Sequence, residues 1–428
     1  MEKTLKKEFY WRKLDSQAKV FSLASNNKYS SIFRLSVLLN EEIECEILQN
    51  ALELTLKKYE AYKVKMSRGL FWYYLEENTK LPIVSEENGE LFRKINTKSN
   101  NDYLFKVTYF KNKINIDFFH VLTDGNSGIE FLKDVVYRYL EIKYSNKIKE
   151  NKLNELIVLK DSENAYVKNY KKNISHNDLA QKAYMIKGEK LPEGKIGINH
   201  FNIDLNDLKL CSKEKLCSLS MYIVAMIGYS IYEANYKKNN GKYPINLCIP
   251  INLKKYFPTT TLSNFFSYMM ISLKLKRNKE YSFEDILDIV KKEFEKKLKQ
   301  EKILATMSSI VDSTNNPFIR GVPLFCKKAI VRIGSLEVKR HFTMTISNIG
   351  IINIDKEYSE YIESFFTILS PDWAERMKCG ICSYKNKLVV TLGTVLNNNM
   401  IETQFKKILE KNNIHFNIEG NGINVVSK

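Results

Sequence analysis

Two apolar rhythms run through this chain, and both recur on either side of a stretch that has neither. Ile47, Leu48, Ala51, Leu54 and Thr55 repeat near every 3.6 residues, which predicts a helix over 44–59. Ile129, Leu132, Val135, Val136 and Tyr139 predict another over 127–144. Strand-type runs fall at 31–39 and 70–75, and at 103–110 and 114–119, where Lys111-Asn-Lys113 reads as a hairpin turn. Beyond about 195 the same mixture returns. Strands are expected at 196–203, 244–250, 342–347 and 388–392, with a short turn or helix at 204–209. Helices are expected at 219–233, 282–299 and 400–412. Between about 145 and 195 the texture shifts to Lys, Asn, Glu and Ser without periodicity, which marks a crossover. The pattern therefore predicts an α/β (α+β) chain with an N-terminal half at 1–180 and a C-terminal half at 195–428. No repeat of solenoid or propeller length is present.

Composition supports a packed core. Of 428 residues, 44% are hydrophobic and 27% charged, which excludes global disorder. With 16 Gly and 8 Pro, collagen-like and linker-rich classes are excluded too. The charge is less ordinary: 67 Lys+Arg against 49 Asp+Glu give +18. Such a field attracts phosphates, nucleic acid or anionic lipid. Lys and Asn are abundant throughout, however, and no basic run with interleaved aromatics or nucleic-acid module occurs, so no nucleic-acid partner is expected.

The seven cysteines are odd in number and scattered, which is not a disulfide framework. Cys379-Gly-Ile-Cys382 has redox-type spacing, but a hairpin-like segment follows it, so both read as buried strand cysteines. The N-terminus lacks the apolar region of a signal peptide, and a cytoplasmic location is the expectation. The uncharged stretch 216–232 is short for a membrane span and contains Ser218, Ser220, Gly228 and Ser230. It reads as a buried core helix, so no span is expected. His176, His200, His341 and His415 have no metal-like spacing, and no metal is expected. Neither G-x-G-x-x-G nor a Walker loop is present.

The sharpest local feature is Phe118-Phe119-His120-Val121-Leu122-Thr123-Asp124-Gly125. A His at a strand end is aimed by a stiff element. Asp124 can fix the following turn, and Gly125 can supply a positive φ if one is needed. Imidazole titrates near working pH, so such a His suits general-base work.

The His120-x-x-x-Asp124-Gly125 block resembles the signature of the chloramphenicol-acetyltransferase-like acyltransferases. That superfamily includes alcohol O-acetyltransferases, wax-ester synthases, plant BAHD enzymes and the condensation domains of peptide synthetases. Ile249-Pro250-Ile251-Asn252-Leu253-Lys254 resembles their P-V-N-L-R segment, and Ser347-Asn348-Ile349-Gly350 their S-N-x-G segment, in the proper order. The resemblance implies two chloramphenicol-acetyltransferase-like domains, each a mixed sheet flanked by helices, with an active-site tunnel between them. It implies His120 as general base and Asp124 as structural support, ion-paired with the Arg of N-L-R. Lys254 stands at that position here and is the candidate partner. Oxyanion or substrate contacts are expected among Asn264, Ser267, Tyr268, Ser347 and Asn348.

The implied activity is transfer of an acyl group from acyl-CoA to an alcohol or amine. CoA serves as co-substrate, and no cofactor is tightly bound. Phe119 replaces the first His of the double-His members, which leans away from condensation domains. A carrier-protein-dependent, condensation-like transferase is the alternative, with the carrier a separate protein. A catalytically inactive ligand-binding homologue is the other.

Overall fold

The computed structural model describes residues 10–26, 30–89, 91, 99–148, 163–174, 181–239 and 241–423. Its frame is a pair of mixed sheets. The larger has seven strands in the order Phe266–Leu273, Ile245–Asn252, Met344–Ile351, Met377–Tyr384, Lys387–Thr394, Gly197–Asp204, Phe416–Gly420. Met344–Ile351 runs parallel to both of its neighbours, and the other pairs are antiparallel. The smaller has five, in the order Ile362–Leu369, Ile32–Leu39, Lys113–Phe119, Phe105–Phe110, Val84–Glu86. A three-stranded sheet of Trp11–Lys13, Tyr73–Glu77 and Val64–Arg68 stands beside them.

Each sheet buries its apolar face under helices. Leu247, Ile249, Ile346, Ile381 and Val390 of the large sheet share a core with Ile223, Ile227, Leu287 and Phe405 from the helices Leu219–Ile231, Phe283–Lys297 and Met400–Lys411. The uncharged stretch at 216–232 is thus a core helix, as its polar residues implied. No single helix among the described residues is long and apolar enough to cross a membrane. One pair bent by 89°, Leu205–Glu214 with Leu219–Tyr236, passes on length and composition alone. In the small sheet, Leu35, Val37, Ile116 and Phe118 meet Leu48, Leu52, Phe131 and Leu132 of the helices Cys45–Lys58 and Gly125–Lys143.

Three features depart from the sequence expectations. The strand expected at 70–75 begins only at Tyr73, because Gly69 N–H donates to Trp72 O at 3.0 Å and closes a tight turn that leaves Leu70 and Phe71 outside. The helix begun at 204 runs on to Glu214, with Asp204 accepting from the N–H groups of Asn206 and Asp207. One strand also crosses the division expected at 195: Ile362–Leu369 from the C-terminal half forms the edge of the small sheet, antiparallel to Ile32–Leu39. That strand is apolar on both faces, as suits a position covered on both sides. Where it meets the large sheet the backbones nearly touch: a Cβ on Gly380 would lie 2.0 Å from Thr367 O. The expected crossover at 145–195 falls in part, at 149–162 and 175–180, outside the described residues.

Cys379 and Cys382 are buried in Met377–Tyr384, and both are free. An odd spacing on a strand points them to opposite faces, so Cys379 joins the large-sheet core and Cys382 the small-sheet one.

Candidate active site

His120 follows directly on Lys113–Phe119, the strand at the centre of the small sheet. Its N–H donates to Ser31 O at 2.9 Å, which extends the pairing to the adjacent strand by one residue. The imidazole sits in an aromatic slot. Phe21 stacks on it at 4.8 Å between centroids, Phe33 lies at 4.5 Å and Phe266 at 5.9 Å. Nδ1 is buried without a hydrogen-bond partner among the described residues, although the residue as a whole is only half-buried. Burial pushes the ring's pKa down to about 4, and the charge of Lys378 acts in the same direction. Asn264 and Asp124 pull the other way without overcoming burial. The ring is therefore neutral at ordinary pH.

The turn after His120 is fastened to residues 262–265 by three hydrogen bonds. Asn264 Nδ2 donates to His120 O at 2.7 Å, Thr123 Oγ1 donates to Leu262 O at 2.8 Å, and Phe265 N donates to Asp124 Oδ2 at 2.9 Å. The other Asp124 oxygen accepts from Ser127 N at 2.9 Å and caps the Gly125–Lys143 helix. Asp124 therefore spends both oxygens on backbone N–H groups, and the expected ion pair with Lys254 is absent. Lys254 Nζ instead donates to Ser127 Oγ at 2.6 Å, one turn into the same helix. Lys lacks the planar fork with which an Arg pairs bidentately with a carboxylate, and its ammonium is spent on Ser127 Oγ instead.

Gly125 does not take a positive φ. Its service is clearance: a Cβ there would lie 2.6 Å from Ile349 Cδ1, on the strand carrying Ser347 and Asn348. The His120 block and the Ser347-Asn348-Ile349-Gly350 block thus meet through this contact.

The oxyanion candidates separate clearly. Asn264 donates both to His120 O and to Asp15 Oδ2, the latter at 3.0 Å, so its amide is a brace and not a free donor. Ser267 is fully buried, in step with Met269, Ile271 and Leu273 that face the helical core, and so points away from the His120 ring. Tyr268 is partly exposed and shares its face with Phe266. Asn348 is exposed and accepts from Gly350 N at 2.8 Å. Ser347 is half-buried, its hydroxyl without a hydrogen-bond partner among the described residues, in step with Thr345 and with Ile349, which reaches Gly125.

Two charged residues escaped the sequence reading. Asp15 caps the Ser16–Ala24 helix through Ala18 N and takes Asn264 on its other oxygen. Burial raises its pKa to about 6 despite those bonds. Lys378 pairs in register with Thr345, beside Ser347. Burial works against its charge, but Glu375 and Asp372 more than offset this, with Glu375 Oε2 at 3.4 Å. Neither lies in a motif, and no local signal pointed to them.

Against known proteins, no family model and no curated sequence matches the chain. Solved structures do match. The trichothecene 15-O-acetyltransferase TRI3 from Fusarium sporotrichioides superposes with a TM-score of 0.62 at 10% identity, covering 94% of each chain. The chain has the chloramphenicol-acetyltransferase-like fold. TRI101 of F. graminearum, in a complex with coenzyme A and deoxynivalenol, gives 0.62 at 11% identity over 95% of this chain and 99% of that one. The first condensation domain of the calcium-dependent antibiotic synthetase gives 0.61 at 9% identity, over 94% and 95%. An O-acetyltransferase, a coenzyme A complex and a condensation domain thus share this architecture almost end to end.

Proposed function

We propose that the chain is an acyl-CoA-dependent O-acyltransferase with His120 as its general base, working in a tunnel between the two sheets. The observation that carries this reading is the His120 ring: neutral, enclosed by Phe21, Phe33 and Phe266, and held by a backbone braced through Asn264. The shared fold with TRI101, which was solved with coenzyme A, supports a CoA thioester as donor. A small alcohol or amine is the acceptor.

In the proposed reaction the imidazole takes the acceptor's hydroxyl proton as that oxygen attacks the thioester carbonyl. A C–O bond forms and the carbonyl oxygen becomes an oxyanion, with the Ser347 hydroxyl as donor to it. Collapse breaks the C–S bond, and the imidazolium returns its proton to the departing thiolate. The products are an ester and free CoA, with no covalent enzyme intermediate. Asp124 and Asn264 serve as positioning residues for the His120 turn.

Thiol release from acetyl-CoA over a panel of alcohols tests this. His120→Ala is expected to lower kcat/KM by about a hundredfold to ten-thousandfold. Turnover that survives His120→Ala overturns the base assignment. Tight CoA binding without turnover on any of several acyl-CoAs favours a ligand-binding homologue, and turnover only with a carrier-borne thioester favours the condensation-like reading.

A further inference from the structure

The helix Leu324–Lys339 is packed inside out. It fully buries a lysine, Lys327, at 1% exposure, and leaves Phe325 at 67%, Ile330 at 60% and Ile333 at 72%. The inward lysine has a clear task. Its ammonium lies 3.7 Å from the centre of the Trp72 ring and donates to Phe71 O at 2.8 Å, clamping the Gly69–Trp72 turn to the helix. Leu324 N donates to Leu70 O at 2.9 Å on the same seam. The outward residues have no such partner. Positions 325, 329 and 333 recur every four residues, with 330 beside them, and so form one stripe along the helix.

Two neighbours extend that stripe. Leu70 and Phe71 stand out at the tip of the clamped turn, and Phe318 on the preceding short helix is 87% exposed. Contiguous apolar surface of this kind marks a contact with something other than water. The charge around it selects the partner. Residues 317–340 hold Arg320, Lys327, Lys328, Arg332, Lys339 and Arg340 against one acidic residue, Glu337. The adjoining strand and turn add Lys65 and Arg68. Lys65 and Lys339 are paired with Glu76 and Asp372, and Arg340 with Glu337. Arg68, Arg320, Lys328 and Arg332 have no carboxylate partner among the described residues.

We infer that this face, the Gly69–Trp72 turn with the helices Pro317–Gly321 and Leu324–Lys339, docks peripherally on an anionic lipid bilayer. Apolar side chains rimmed by cations without carboxylate partners among the described residues, Lys328 resting over the Tyr73 ring, match the boundary between acyl chains and phosphate headgroups. The face also adjoins the site. A cavity of about 240 Å³ lined by Ser22, Ser31, Tyr73 and Phe119 is bounded by Lys328 of the same helix. Docking does not depend on His120 acting as a base, so vesicle binding and turnover can fail separately.

Flotation of the full chain with vesicles tests the inference, using phosphatidylcholine alone and phosphatidylcholine with about a quarter phosphatidylglycerol. Binding is expected to be roughly tenfold stronger on the anionic vesicles and to weaken with added salt. Phe325→Asp with Ile333→Asp is expected to lower it roughly tenfold. Both positions are exposed, so the melting temperature should hold, and Arg320→Glu gives a second variant that leaves the apolar stripe intact. Equal or absent binding to both vesicle types overturns the inference, as does full binding by the double variant. A dimer in sedimentation that the double variant breaks, without vesicle binding, also overturns it and makes a second copy of the chain the occupant.

Discussion

The His120 carbonyl, the Thr123 hydroxyl and Asp124 Oδ2 are engaged by bonds that hold one turn against residues 262–265, and Asp124 Oδ1 caps the helix that follows. Across from that turn, on the large sheet, the Ser347 hydroxyl has no hydrogen-bond partner among the described residues. The first region is braced through backbone carbonyls and amide N–H groups, and leaves only His120 Nδ1 and Asn264 Oδ1 buried without a hydrogen-bond partner among the described residues. The second leaves a half-buried hydroxyl open to a ligand. On the proposed function the difference separates two jobs: one wall aims the imidazole, while the other receives what the imidazole acts on.

Substitutions should therefore separate along the same line. Ser347→Ala on the receiving wall is expected to lower kcat about a hundredfold, as for loss of an oxyanion donor, with denaturant midpoints unchanged. A stability loss matching the kinetic loss would place Ser347 with the fixed wall instead.

The fixed wall carries two titrating groups with opposite signs. His120 has its folded pKa depressed from 6.5 to about 4, so its contribution to stability is present above pH 6.5 and lost as pH falls through about 4. Asp15 has its folded pKa raised from 3.8 to about 6, so its contribution is present below pH 3.8 and lost as pH rises through about 6. Each amounts to about 3 kcal/mol across its window, and the two largely cancel between pH 4 and 6. Measured as differences from the unaltered chain, Asp15→Asn should make stability rise with pH there and His120→Ala should make it fall. Parallel curves for both variants would show that neither group is held as described.

Asp124→Asn attacks the fixed wall through its hydrogen bonds. The amide keeps one acceptor for Ser127 N but turns an NH2 group toward Phe265 N–H, leaving that donor unmet. The expected cost is about 2 kcal/mol in urea unfolding, with kcat reduced as the turn loosens. Retention of both stability and activity would remove Asp124 from its supporting role.

How much of this was legible in the sequence follows from the range of the interactions. The strand ending at His120, the helix opening at Gly125 and the hairpin around Lys111–Lys113 are set by local periodicity and capping, and the residue patterns carried them. The buried helix after Ser218 was readable for the same reason. Leu324–Lys339 was not legible, because it buries a lysine and exposes Phe and Ile, the reverse of the rule such patterns rest on. The exchange of Ile362–Leu369 into the small sheet is a pairing across more than three hundred residues, with no trace in local composition. In the site, the turn around Asp124 could be anticipated from its motif. Its true partners are the backbone N–H groups of Ser127 and Phe265, and a backbone partner from a distant segment leaves no residue-type signal. Asp15 and Lys378 are ordinary charged residues until the fold buries them.

The smallest effect concerns the seam where the two walls touch. Gly125 needs no special backbone conformation, so alanine is allowed there, and its lower unfolded-state entropy favours the variant. Against this, the new methyl would meet Ile349 Cδ1 at 2.6 Å. That atom is the end of a flexible side chain, so Ile349 can rotate away at modest cost. Gly125→Ala should therefore destabilise by less than about 1 kcal/mol, while shifting the strand that carries Ser347 enough to raise KM. Ile349→Val shortens the obstructing branch and should restore both values in the double variant. If Ile349→Val instead adds its own loss to that of Gly125→Ala, the two residues do not share a contact and the seam lies elsewhere.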